Sequence, residues 1–250
     1  MPPAALSARS VIASMLLGTH PPEMDGRFLV ALARRFGIAE GTARVALSRM
    51  VDRGELENCD GRYRLTGHLA RRQTRQDAAR ASITGDWDGA WIQAVAVGKA
   101  AASRRTERRT EFAAAKLGEL REGVWLRPDN LGTDPWSFDG DDVLWASVRP
   151  EGEPEALVAQ LWDLDAWALE ARRLTVGLEE SADGLAADDD DVLAPGFVLS
   201  AAVLRHFLAD PELPAELAPP DWPAAELRRA YDGFDAAYRA LLRRFFEAHR

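Results

Sequence analysis

The sequence predicts an α+β chain: a helical N-terminal segment closed by a β-hairpin, a mixed middle, and a helical C-terminal part. Three observations predict it. Apolar residues recur at helical spacing over three consecutive stretches before residue 54, alternating segments flank an Asp-Gly pair at 60–61, and strand and helix patterns interleave between residues 92 and 162. With 250 residues, 47% hydrophobic and 28% charged, the chain has enough apolar material for a substantial core.

Ala8 to Leu17 carries Val11, Ile12, Met15 and Leu16 at helical spacing, and Gly18-Thr19-His20-Pro21-Pro22 breaks it. Gly26 to Phe36 forms a second helix with Phe28, Leu29, Leu32, Ala33 and Phe36 on one stripe, ended by Gly37. A third runs from the Glu40-Gly41-Thr42 turn to Arg53 and stops at Gly54. Ala43, Ala46, Leu47 and Met50 fall on its inner side, leaving Thr42, Arg44, Val45, Ser48 and Arg49 outward. Small apolar residues inside and Thr, Ser and Arg outside suit a helix lying in a DNA major groove, where arginine donates two hydrogen bonds to a guanine edge. A solvated helix of any small bundle fits the same pattern.

Residues 56–66 narrow the choice. Leu56-Glu57-Asn58 and Arg62-Tyr63-Arg64-Leu65-Thr66 flank Cys59-Asp60-Gly61, a hairpin with Asp-Gly at its turn. Three helices followed by a hairpin is the winged helix-turn-helix order. Arg62 and Arg64 share one face of the second strand, offering guanidinium groups to the DNA backbone or minor groove, while Tyr63 and Leu65 face the core. Thr66 to Ser82, with Arg71, Arg72, Arg75 and Arg80, reads as a basic helix or linker.

At Trp87 the composition changes. Ile92 to Val97 alternates as a strand, Ala101 to Leu120 makes an amphipathic helix rich in Arg and Glu, and Gly123–Pro128 and Leu144–Val148 are further strands before a helix from Glu153 to Trp162. This order suggests a ferredoxin-like α+β layer. From Asp163 on the chain is chiefly helical, with breaks at Asp210-Pro211 and Pro219-Pro220. The organisation predicted is a winged helix-turn-helix over 1–66, a basic helix or linker over 67–84, a ferredoxin-like domain over 85–162, and a mainly helical dimerisation and effector domain over 163–250.

Charge is uneven along the chain. Residues 1–80 hold 13 arginines, no lysine and 8 acidic residues, a net of +5, whereas the remaining 18 basic and 32 acidic residues carry −14 of the overall −9. An arginine-biased first third on an acidic body fits one domain that meets phosphates and a remainder that stays off them. No stretch reaches the roughly 18 uncharged apolar residues of a membrane span, and the N-terminal run lacks the flanks of a signal peptide, so a cytoplasmic protein is expected. A single cysteine, Cys59, excludes an intramolecular disulfide and a thiolate-rich zinc site. His20, His68, His206 and His249 have no metal-ligand spacing, and no cofactor is expected. No Ser-His-Asp constellation, phosphate-binding glycine loop or paired-histidine motif is present, so no enzyme activity is expected. Most tryptophans belong to core strands and helix faces, with Trp136 on a loop; the run Asp188 to Asp191 reads as a solvated loop.

Four stretches carry a resemblance: TARVALSRMVDRGEL with the following RYRLT, WDGAWIQAVAV, LREGVWLRPDNL, and DPELPAELAPPDWPAAELRRAY. The last has no generic structural cause. Nearly end to end the chain resembles the PaaX family of bacterial repressors, typified by the regulator of phenylacetate degradation. The resemblance implies a winged helix, a middle similar to a CRISPR-associated small endoribonuclease without its activity, and a C-terminal helical domain completing a homodimer. It also implies repression of a catabolic operon through double-stranded operator DNA, relieved by an aryl-acyl-coenzyme A such as phenylacetyl-coenzyme A. The chain departs from the family in APGFVLSAAVLRHFLADP, which has fewer arginines and aromatics, and in its aspartate run. A polyanionic effector needs an arginine cluster; Arg104, Arg105, Arg108 and Arg109 are the candidates, and a solvated face with Glu107 and Glu111 as partners is the alternative. Two other functions compete: a metal-dependent nuclease using the ferredoxin-like middle domain, although no metal-positioning Asp stands out there because Asp86 and Asp88 merely flank Trp87 in the WDG stretch, and an interaction adaptor that does not bind DNA.

Overall fold

The computed structural model describes residues 6–82, 84–97, 101–132, 142–187 and 190–248, Asp190 by its backbone alone. Trp136, Asp188, Asp189 and His249 lie outside the described residues. The chain is α+β, with two small antiparallel sheets among the described residues. It divides into two compact units: residues 1–77, 174–204 and 229–250 form the first, and residues 78–173 and 205–228 the second.

The first unit opens with α1 (Ala8–Leu17), whose N-cap Ser7 side chain accepts the Ser10 N–H. A short strand β1 (Glu23–Asp25) comes next, then α2 (Gly26–Arg35), α3 (Glu40–Asp52) and the hairpin β2 (Leu56–Cys59) and β3 (Arg62–Leu65). These helices bury Val11, Ile12, Leu16, Leu29, Leu32, Ala33, Ala43, Leu47 and Met50 between them, and Leu56 and Leu65 close the core from the sheet. The hairpin turns as expected: Asp60 and Gly61 have φ of 53° and 84°, the left-handed pair that a two-residue type I′ turn requires.

Strand β1 departs from the sequence expectation, which makes the stretch before Gly26 a connection, since three residues with two acids hold no alternating apolar signal. Strand β3 nevertheless has a second edge, and β1 pairs there antiparallel, giving the order β1-β3-β2.

Helix α4 (Gly67–Ala81) sends the buried Gln73 amide back to the Leu17 and Thr19 carbonyls, both at 3.0 Å, taking up acceptors left free at the end of α1. The remainder of the first unit is helical: the end of α7 (Leu164–Glu180), α8 (Ala182–Ala186), a 3-10 turn over Asp190–Val192, most of α9 (Leu193–Leu208) and most of α10 (Ala224–Ala248). Phe28 of α2 and Phe36 at its C-cap are only half-buried, and their rings meet Phe246 at 4.8 Å and Phe197 at 4.9 Å.

The second unit is built on β4 (Trp91–Ala96), β5 (Gly118–Arg121), β6 (Val124–Pro128) and β7 (Val143–Val148), in the order β5-β6-β4-β7 with every neighbouring pair antiparallel. Helices α5 (Ala102–Ala114) and α6 (Pro154–Leu161) belong to the same unit. Phe112 of α5 sits edge-on to Trp125 and Trp145 at 4.9 and 5.4 Å. Trp91, Leu126, Val158 and Leu161 form a second cluster with Leu213 and Leu217.

The expected single helix from Ala101 to Leu120 is shorter in the structure. Helix α5 stops at Ala114, where the Leu117 N–H bonds the Phe112 carbonyl and the Lys116 N–H bonds that of Ala113, with Lys116 at φ 63°. That is a Schellman-type end with lysine where glycine is usual, and so it leaves no sequence mark. Strand β5 begins two residues later at Gly118, where any Cβ would lie 2.7 Å from that of Leu161.

Candidate nucleic-acid interface

Helix α3 presents two chemically distinct faces. Ala43, Leu47 and Met50 are buried, Ala46 is half-buried, and Thr42, Arg44, Val45, Ser48 and Arg49 are on the solvent side. Val45 is the unusual member, an apolar side chain left 50% exposed. Arg44 makes a local contact with Glu40 one turn earlier, at 2.8 Å, with its own side chain 66% exposed. Such an exposed i, i+4 pair is weak enough to be exchanged for another anion. The outward face therefore carries two arginines, two hydroxyls and an apolar branch, the set that contacts guanine edges, phosphates and thymine methyls.

The hairpin is less simple. Arg62 and Arg64 project to the same exposed side of β3, but each already meets carboxylates from the strands beside it. Arg64 donates to Glu23 Oε2 from Nη2 at 2.8 Å and from Nε at 3.1 Å, and its Nη1 lies 3.2 Å from Glu57. Arg62 reaches Glu23 Oε1 at 3.1 Å and Asp25 at 3.3 Å. Sequence reasoning missed Glu23 and Asp25 because β1 was not anticipated; the signal was a Glu-x-Asp spacing able to face Arg-x-Arg across a ladder.

Three of the four arginines of α5 are also engaged. Arg108 is buried on Asp142, and Arg104 lies 3.6 Å from Glu111, 3.8 Å from Glu107 and 3.9 Å from Asp142. Arg109 pairs with Glu119 at 3.0 Å, and Arg105 is exposed. Arg109 also lines a cleft of about 390 Å³ together with Lys116, Trp125, Trp162 and Pro211. In the same unit Asp88 accepts the Ala90 N–H at 2.9 Å and Arg149 Nη2 at 2.7 Å, and these two bonds, the backbone one first, hold its carboxyl below the usual carboxylate range. Its oxygens serve a turn and an ion pair. Among the described residues no three His, Cys, Asp or Glu side chains come together as a metal site, and no helix is long and apolar enough to cross a membrane.

Two family models match the chain: PaaX-like protein over residues 7–69 and PaaX-like protein C-terminal domain over residues 162–248. The chain is a PaaX-like protein. The family is one of transcriptional regulators. Among solved structures the chain is similar to an uncharacterized protein, Rv0674, of Mycobacterium tuberculosis, with 42% identity over 94% of this chain and 97% of that one and a TM-score of 0.71. No curated protein matches.

The two matched ranges divide the PaaX-like chain informatively. The first covers α1 to the start of α4, including every outward residue of α3 and both hairpin arginines. The second contains the DPELPAELAPPDWP stretch, whose role in the second unit is structural. Asp210 accepts the Glu212 N–H at 3.0 Å and Arg228 at 2.8 Å, while its carbonyl, with those of Phe207 and Leu208, accepts from Lys116 Nζ at 2.9 to 3.2 Å. Burial pushes the Glu212 carboxyl above its usual range, opposed by Lys116 at 3.1 Å. Trp222 stacks on Trp167 at 4.5 Å, and Trp167 on His206 at 4.3 Å.

Proposed function

We propose that this PaaX-like chain is a DNA-binding transcriptional regulator whose first three helices and three-stranded sheet work as a winged helix-turn-helix. The observation that carries the reading is the two-sidedness of α3: Ala43, Leu47 and Met50 are buried, whereas Thr42, Arg44, Val45, Ser48 and Arg49 stand toward solvent. Helix α3 then enters the major groove, Arg49 donates to a guanine, Val45 meets a thymine methyl, and Thr42 and Ser48 contact bases or phosphates. Arg62 and Arg64 of the wing lie over the flanking backbone. The strand order β5-β6-β4-β7, with α5 crossing between β4 and β5, supports a ferredoxin-like layer in the second unit.

In this reading the chain acts in the cytoplasm as a homodimer on a palindromic operator, because two recognition helices on a two-fold axis match two half-sites about one helical turn apart. It represses a catabolic operon and is released by a small-molecule effector, an aryl-acyl-coenzyme A such as phenylacetyl-coenzyme A by family likeness. Arg104, Arg105, Arg108 and Arg109 are the cluster for the effector's phosphates; Arg104, Arg108 and Arg109 would first have to give up the carboxylates they now hold.

The test is retrieval of genomic fragments by the purified protein, followed by anisotropy titrations on the recovered site at several salt concentrations with and without acyl-coenzyme A compounds. Arg49→Ala should weaken specific binding by about 1–3 kcal/mol and relax preference at one base pair. Equal affinity for every duplex, unchanged by Arg49→Ala, would remove the regulator reading.

A further inference from the structure

The acid–arginine ladder on the exposed side of the small sheet is too regular to be incidental surface charge. Strand register places Glu23 and Glu57 on either side of Arg64, and Asp25 and Cys59 on either side of Arg62. Glu23 is shared: Oε1 takes Arg62 and Oε2 takes Arg64, and its side chain is 17% exposed against 57% and 54% for the two arginines. Asp25 additionally meets Arg27 at 3.4 Å. Two hairpin arginines thus face three carboxylates, so the free wing offers no net positive charge to a passing polyanion.

We propose that Glu23, with Asp25 and Glu57, occupies the phosphate-binding donors of the wing, so that Arg62 and Arg64 engage a nucleic-acid backbone only by exchanging these carboxylates for phosphates. The inference rests on the DNA-binding reading of this sheet and adds a regulation to it. A carboxylate and a phosphate present similar paired oxygens to a guanidinium fork, so the exchange needs little rearrangement of the arginines. Exposed ion pairs are individually weak, which keeps the exchange accessible. Its consequence is selective. A duplex held in register by α3 keeps phosphates beside the wing long enough to displace the acids, whereas a loosely held polyanion gains nothing from two neutralised arginines. Glu23, Asp25 and Glu57 therefore lower non-specific affinity, and the discrimination arises without any base contact by the wing.

The ladder is tested with Glu23→Gln, nearly isosteric, and with Asp25→Asn as a second variant on the same arginines. Two probes are used: a random-sequence duplex of about three helical turns, and immobilised heparin as a polyanion of different shape. Glu23→Gln should bind the duplex about fivefold to tenfold more tightly near 0.1 M salt, with a log–log salt slope steeper by about one, and should elute from heparin at higher salt. Asp25→Asn should move both readouts in the same direction by less, and adding Arg62→Ala and Arg64→Ala to Glu23→Gln should abolish the gain. Wild type and both carboxylate variants binding the duplex with equal affinity and slope would overturn the ladder while leaving DNA binding standing. A gain on heparin with no duplex binding by any variant would support the masking of the arginines and overturn the DNA reading instead.

Discussion

Arg9 and Glu55 show how a single pair holds α1 to the start of the hairpin. Glu55 is 6% exposed, and Arg9 donates to it from Nε and Nη2 at 2.7 to 3.1 Å across 46 residues of sequence. The Arg9 hydrogen bonds hold the Glu55 carboxyl below its ordinary 4.5 despite burial. A depressed carboxylate contributes stability that is present above the ordinary value and lost as pH falls through the folded one. Arg9→Ala should cost about 1–3 kcal/mol in urea denaturation at neutral pH, because it leaves Glu55 buried without its donor, and the difference from wild type should shrink in acid. His206 titrates in a different window. Burial lowers it below its ordinary 6.5, against the opposing pull of its bond to the Trp167 carbonyl. The folded chain thus holds a neutral imidazole, and its stability, full above 6.5, declines as pH falls toward the folded value. Thermal midpoints of wild type followed between about pH 8 and 5 should fall more steeply than those of His206→Phe, which keeps a ring on Trp167 but cannot take up a proton. Parallel curves would deny His206 that role. Neither pair was legible in the sequence, since each joins residues at least 39 apart whose identities carry no mutual signal.

At the scale of elements, helices α1, α2 and α3 and strands β2, β3, β4, β6 and β7 were legible because each writes its own period in the chain. Helix α3 is the clearest case: Ala43, Leu47 and Met50 recur at three to four residues, and burial follows that spacing. The hairpin turn was equally readable, as Asp-Gly is among the few pairs that accept two successive positive φ values. Gly61→Ala should therefore destabilise the chain by about 1–2 kcal/mol. It should also loosen the register between Asn58 and Tyr63, read as faster amide exchange in β2 and β3; unchanged exchange would mean that the turn does not set the ladder. Strands β1 and β5 were illegible for separate reasons. Strand β1 is three residues long and exists because β3 lends it an edge. Strand β5 hides behind a helix end that uses Lys116, a good helix former, at a left-handed position. That strain is offset by the three carbonyl bonds of its ammonium group, so Lys116→Met should destabilise the second unit even though it keeps helix propensity.

Across the whole molecule, the first unit draws together three separated stretches of chain, and its completion depends on residues far from the N-terminal segment. Phe28 and Arg35 of α2 and Phe36 at its C-cap meet Phe246, Phe245 and Phe197 respectively. A fragment ending at residue 84 contains α1 to α4 but none of these partners. It should unfold at lower urea concentration than the full chain and bind a hydrophobic dye, because two half-buried rings become exposed. A fragment as stable as the whole protein would show that the C-terminal aromatics contribute nothing to this core. By itself the sequence determined the α+β class, the three N-terminal helices and their hairpin, the buried and outward sides of α3, and the arginine bias of the first third. All of these are local, set by periodicity, turn chemistry and composition over a few residues. Only the tertiary structure decided that β1 exists, that Arg62 and Arg64 meet Glu23 and Asp25 some 40 residues earlier, and that Arg108 is buried on Asp142 of a distant segment. It also decided that residues 174–204 and 229–250 share a unit with the first helices. Such pairings depend on which surfaces come together after the elements have formed, and no short-range pattern in the chain encodes them.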